Sequence, residues 1–145
     1  MDNIRLNSGM VNLEVYCDDE KGSISFNPND IRFVEAFYEL YSNFKSEEQL
    51  YKGKMLVLEK DNTLDKFGMP KNMGKRIKLM ADYARSMNDR IDKVFGENTS
   101  ENVFRGAVVP DMYKQFFEEV APFITTNREK KIDKYLEEAD GNVMS

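Results

Sequence analysis

The sequence predicts an α+β protein, mainly α-helical, with an N-terminal β-hairpin followed by about four to five helices. Three patterns carry this prediction. Residues 11–27 alternate apolar and polar with the period of two that suits a half-buried strand. Phe33, Phe37, Leu40, Tyr41 and Phe44 recur at helical spacing. Met73, Ile77, Met80, Ala84, Met87, Ile91 and Val94 step by alternating fours and threes, which places one apolar seam along a long helix. At 145 residues the chain has the size of one ordinary domain. Leu, Ile, Val and Phe make up 25% of it, enough for a core despite its charge.

Composition removes much of enzymology. With no His, no Trp and one cysteine, Cys17, the chain excludes a Ser-His-Asp triad, a Cys-His pair, a His/Cys zinc site and an intrachain disulfide. It carries 26 acids and 21 bases, a net charge of −5 that weighs against nucleic acid as a partner. The opening residues lack a signal-peptide core, and Met55-Leu56-Val57-Leu58 is the longest aliphatic run, so a cytoplasmic protein without a membrane span is expected.

Taken in order, the expected elements are a hairpin over 11–27, helix over 28–60, a loop over 61–71, a long helix over 72–95 and C-terminal helices over 99–139, all in a single domain over 1–145. Val11, Leu13, Val15 and Cys17 share one strand face, the run from Asp18 to Gly22 supplies the turn, and Ser23 to Asn27 alternates again. The acids of that turn lack the spacing of a calcium loop. Asn27 as cap and Pro28 at the first helical position start the next helix. Beyond Ser46 either a bent continuation or a second short helix is expected, because Gly53 falls within the pattern.

The helix over 72–95 has a basic polar face. Between residues 71 and 93, seven bases oppose three acids, while the first fifty residues hold four bases and ten acids. The helix therefore packs near the acidic N-terminal part, faces an acidic partner, or simply presents a solvated face. Its seam contains three Met, a residue that fills irregular cores and also lines adaptable binding surfaces. Gly96 stops it, and one helical turn follows before Gly106. Pro110-Asp111 opens a helix whose apolar face is Tyr113, Phe116, Phe117, Val120, Phe123 and Ile124, with a kink or split expected near Glu118 to Ala121 because of Pro122. Asn127 to Ala139 forms a last amphipathic stretch, and the end of the chain is expected to fray.

No pattern for catalysis emerges. Gly68 to Arg76 lacks the spacing of a phosphate loop, and the pairs Glu35 with Glu39 and Asp89 with Asp92 fit solvated, salt-bridged faces better than a magnesium site. The expectation is a non-enzymatic protein with no cofactor and no metal.

Residues 91–106, Ile-Asp-Lys-Val-Phe-Gly-Glu-Asn-Thr-Ser-Glu-Asn-Val-Phe-Arg-Gly, with Tyr113 and the Phe116–Ile124 run, resemble the tail assembly chaperones of long-tailed (siphovirus-type) bacteriophages and prophages. The strand-turn-strand leading into an aromatic helix over 11–45 is more loosely similar to the family's opening. This resemblance implies a chaperone that binds the tape measure protein during tail morphogenesis, with the tail tube protein as a further client and self-association into a homo-oligomer as an option. It also implies a longer form made by ribosomal frameshifting near the end of the gene. Phe95, Phe104, Phe117 and Phe123 are the expected anchors around the client, and Met80 and Met87 the expected groove residues. The competing reading makes all six ordinary core. A different class of function, a small helical regulator or structural adaptor dimerising through the 73–94 seam, is the alternative.

Overall fold

A computed structural model describes residues 1–126 of the chain; the expected helix over 127–139 and the fraying end lie outside the described residues. The order is β1 (Val11–Cys17), β2 (Glu20–Phe26), α1 (Ile31–Glu59), α2 (Met73–Phe95), α3 (Thr99–Phe104) and α4, helical over 111–126. The fold is a mainly helical α+β one, led by an antiparallel hairpin as the patterns predict.

The strands pair Val11 with Phe26, Leu13 with Ile24 and Cys17 with Glu20. The turn is shorter than expected. Only Asp18 and Asp19 form it, both at positive φ (51° and 69°), because a two-residue turn of this hand matches the twist of the strands. Gly22 thus lies within β2, where a Cβ would overlap the Asn102 carbonyl of α3. The hairpin rests on α3 through that missing side chain.

Helix α1 also starts later than expected. Asn27 ends a turn, accepting from the Asn29 amide at 2.9 Å, and the cap is Asp30, whose carboxylate accepts from the Arg32 amide at 3.0 Å. From there a single helix of 29 residues runs past Gly53 without a break, about 44 Å at 1.5 Å per residue. Its C-terminal carbonyls are satisfied from the next helix. Asn72 Nδ2 donates to Leu58 O at 2.7 Å, and Arg76 Nη2 donates to Leu58 O and Asp61 O, both at 3.3 Å, placing a cation at the negative end of the helix. The intervening loop folds on Asp65, whose carboxylate accepts from the amides of Phe67 and Met69.

Helix α2 has nearly its predicted limits and stops at Gly96 (φ 118°). Arg90 pairs with Glu47 of α1 at 3.3 Å, so the basic face does meet the acidic N-terminal part at this point. Elsewhere that face is solvated, as in the Lys78–Asp82–Arg85 ladder. Helix α4 runs through Pro122 as one helix, so of the expected kink or split the split does not occur. Pro122 and Glu118 both face solvent, so the carbonyl left without its amide partner is open to water.

The core lies where β2, α1, α2, α3 and α4 meet. Phe95 stands at its centre, its ring 5.4–6.0 Å from those of Phe26, Phe33, Phe37 and Phe116. Tyr113 closes the other end, its hydroxyl 2.7 Å from Asn88 Oδ1 and 3.1 Å from the Ala84 carbonyl. Burial raises this hydroxyl from 10.0 to about 12. An unfolded chain releases the same proton near pH 10, so the stability tied to the neutral group is complete below pH 10 and declines as pH rises toward 12. Tyr83, raised by burial and then by the Glu48 charge, steepens the decline. Thermal melts from pH 9 to 12 should show a shallower alkaline loss for Tyr113→Phe than for the parent; equal slopes would contradict the assignment.

Candidate functional site: an apolar groove between hairpin and helix

A single hairpin has only one layer to pack on, and β1 lies at its outer side. Its apolar face is accordingly only half-buried at Val11, Leu13, Val15 and Cys17, whereas Ile24 and Phe26 of β2 are fully buried. Between this face and α4 runs an open groove of about 510 Å³. Leu13, Val15 and Cys17 form one wall, Phe104 and Phe116 the floor, and Met112, Val120 and Phe123 the other wall. The Cys17 sulfur lies 3.8 Å from the Met112 sulfur and from the Phe104 carbonyl oxygen.

The rim is acidic. Glu14, Asp18 and Glu119 border the groove, with Gln115 between the last and the floor. Lys21, and after it the Tyr16 hydroxyl, hold the Glu14 carboxyl below its ordinary range, so it stays charged at neutral pH. Arg105 is drawn away to Glu20 at 3.0 Å. An apolar trough with carboxylates along its edge suits an apolar segment flanked by Lys or Arg.

The six residues named from the sequence do not form one surface. Met87, Phe104 and Phe117 are buried; Phe95 is half-buried but enclosed by four rings, and Phe117 packs on Phe44 at 4.7 Å. Met87, Phe95 and Phe117 pack in the core, as the competing reading has them, and Phe104 is buried there while it also floors the groove. Phe123 is 43% exposed on the groove wall, and Met80 is half-buried far from it on α2. The groove brings together Phe104 and Phe123 alone of the six. Leu13, Val15 and Met112 escaped notice as site residues; the signal was a two-stranded sheet whose β1 face has no second sheet to cover it.

The Asp-x-x-Phe-Gly-x-x-Thr-Ser block also has a structural meaning. Asp92 at the end of α2 accepts from the Ser100 amide at 2.7 Å and the Ser100 hydroxyl at 3.0 Å, while the Thr99 hydroxyl donates to Gly96 O at 2.7 Å. Asp92 is thus the remote cap of α3, turning the chain so that Phe104 reaches the groove floor. Asp92 therefore serves the fold. Among the described residues no cluster of three or more acids or cysteines is placed to hold a metal ion.

The seam of α2 is divided. Ala84, Met87 and Ile91 are spent in the core, Val94 is half-buried against it, and Met73, Ile77 and Met80 remain partly or largely exposed. A dimer along the whole of 73–94 has no continuous free seam to use.

Comparison with protein-family models, with curated proteins and with solved structures finds no match.

Truncation should separate core from groove. Phe117→Ala, at 1% exposure, is expected to cost about 3–5 kcal/mol in urea unfolding. Phe123→Asp, at 43% exposure, should cost much less, and a loss as large as that of Phe117→Ala would place Phe123 in the core instead.

Proposed function

We propose that this protein is a tail assembly chaperone of the long-tailed phage and prophage type, non-enzymatic, acting in the bacterial cytoplasm on the tape measure protein. The observation that carries the reading is the meeting of Phe104 and Phe123, from the block that resembles the family, in an open apolar groove beside the hairpin. An assembly chaperone holds a long helical client and then lets it go. A shallow trough lined by Met112 suits reversible capture better than a closed pocket does. The tail tube protein is a second client on this reading. No described helix is long and apolar enough to cross a membrane.

Co-expression with the tape measure protein of the same genome tests the reading. The parent is expected to keep that client soluble and to co-purify with it, and Phe123→Asp, folded as the parent, should lose at least about tenfold in affinity. A client equally insoluble with and without the protein would refute the proposal.

A further inference from the structure

The groove beside the hairpin leaves a second surface unexplained. Helix α4 forms the third layer over α1 and α2, and it begins beside Tyr51, Tyr83 and Ala84: Tyr113 donates to Ala84 O, its ring lies 5.8 Å from that of Tyr83, and the Asp111 charge raises Tyr51 after burial. From there α4 runs toward the hairpin. The two longer helices continue the other way, so from about residue 51 of α1 and before about residue 83 of α2 they form a two-helix arm over which no described element lays a third layer.

The α2 seam does not stop at that point. Ile77 holds the same register as Ala84 and Ile91, which are fully buried, yet it is 54% exposed; Met73 and Met80 beside it are half-buried, as is Met55 of α1. Core periodicity thus persists where no described element supplies the layer that would cover it. The last described residue, 126, is at the far end of α4, roughly 22 Å along the helix from Asp111. The charge of the arm points to its occupant. Residues 50–80 hold eight bases and three acids, a net of +5, against −10 for the remainder of the chain. Among the described residues no acid lies within ion-pair distance of Lys54, Lys60 or Lys75.

We propose that the arm docks an acidic amphipathic helix of a partner protein, which lays its apolar face on Met55, Met73, Ile77 and Met80 and completes the third layer in line with α4. Three features support that occupant. The open face is flanked by two helices, as in helix-in-groove recognition, its Met side chains adapt to different apolar faces, and the arm's net charge of +5 favours carboxylates. The apolar residues also extend along the arm instead of gathering only at its tip, which suits a helix better than a lipid surface. The surface is distinct from the hairpin groove, whose rim is acidic, and the inference does not rest on the chaperone reading.

The test uses the full chain and two synthetic amphipathic helices of about five turns with identical Leu faces, one otherwise Glu-rich and the other Lys-rich. Fluorescence anisotropy is expected to show the Glu-rich helix binding at least about tenfold more tightly than the Lys-rich one, and binding that weakens as salt is raised. Ile77→Asp should reduce that binding by about tenfold or more with its melting temperature kept, and Phe123→Asp should leave it unchanged. Equal affinity for the two helices, binding unaffected by Ile77→Asp, or binding abolished by Phe123→Asp would each overturn the proposal. So would sedimentation of the protein with phosphatidylserine vesicles in preference to the peptide. Concentration-dependent self-association that Ile77→Asp abolishes would assign the arm to a second copy of the chain and overturn it equally.

Discussion

Everything else in this molecule depends on the enclosure of one ring. Phe95, the last residue of α2, touches Phe26 of β2, Phe33 and Phe37 of α1, and Phe116 of α4, so a single side chain joins the sheet and three helices. Three of these contacts are near-perpendicular and the fourth is tilted close to it, arrangements in which ring edges meet ring faces favourably. The alignment is possible because Gly96 turns the chain immediately afterwards with a φ that a side chain would resist. Asp92 then seizes the start of α3 one turn later. The hairpin, which could not stand alone, gains its place from this cluster and from α3.

Much of this was legible in the residues. Alternation revealed the hairpin because β1 and β2 each have one covered face, and the three-four seam revealed α2 because its core-facing stripe is unbroken from Ala84 to Ile91. The start of α1 was misread because Asn27-Pro28 and Asp30 are both good helix openers, and only tertiary placement of the turn chooses between them. Pro122 does not split α4 because the cost of proline depends on whether the orphaned carbonyl is wet, which periodicity does not reveal. Phe117 and Phe123 lie six residues apart on one helix and so point about 120° apart around it: Phe117 falls on the stripe packed against Phe37, Tyr41 and Phe44, and Phe123 on its exposed edge, a difference that treating them as one apolar face passed over.

The two apolar surfaces have opposite electrostatic settings for a common reason. Acids concentrate in the hairpin and the first turns of α1, bases in the outer half of the helical pair, and Arg90 with Glu47 marks the boundary. A chain with a net charge of only −5 thereby presents two fields of opposite sign at its two ends. Each apolar surface lies within one of these fields, so charge sorts what approaches before apolar contact is made.

The missing side chain of Gly22 has a last consequence. A hairpin joined by a tight turn and open on one edge is prone to slide by two residues or to exchange strands between molecules. Moving β2 along α3 by one pleat would bring Glu20 or Ile24 against the Asn102 carbonyl, where only a hydrogen atom fits. The strand is thus keyed to the helix as a notch is to a tooth, and the wall of the groove keeps its alignment because its one vacant position has a single match.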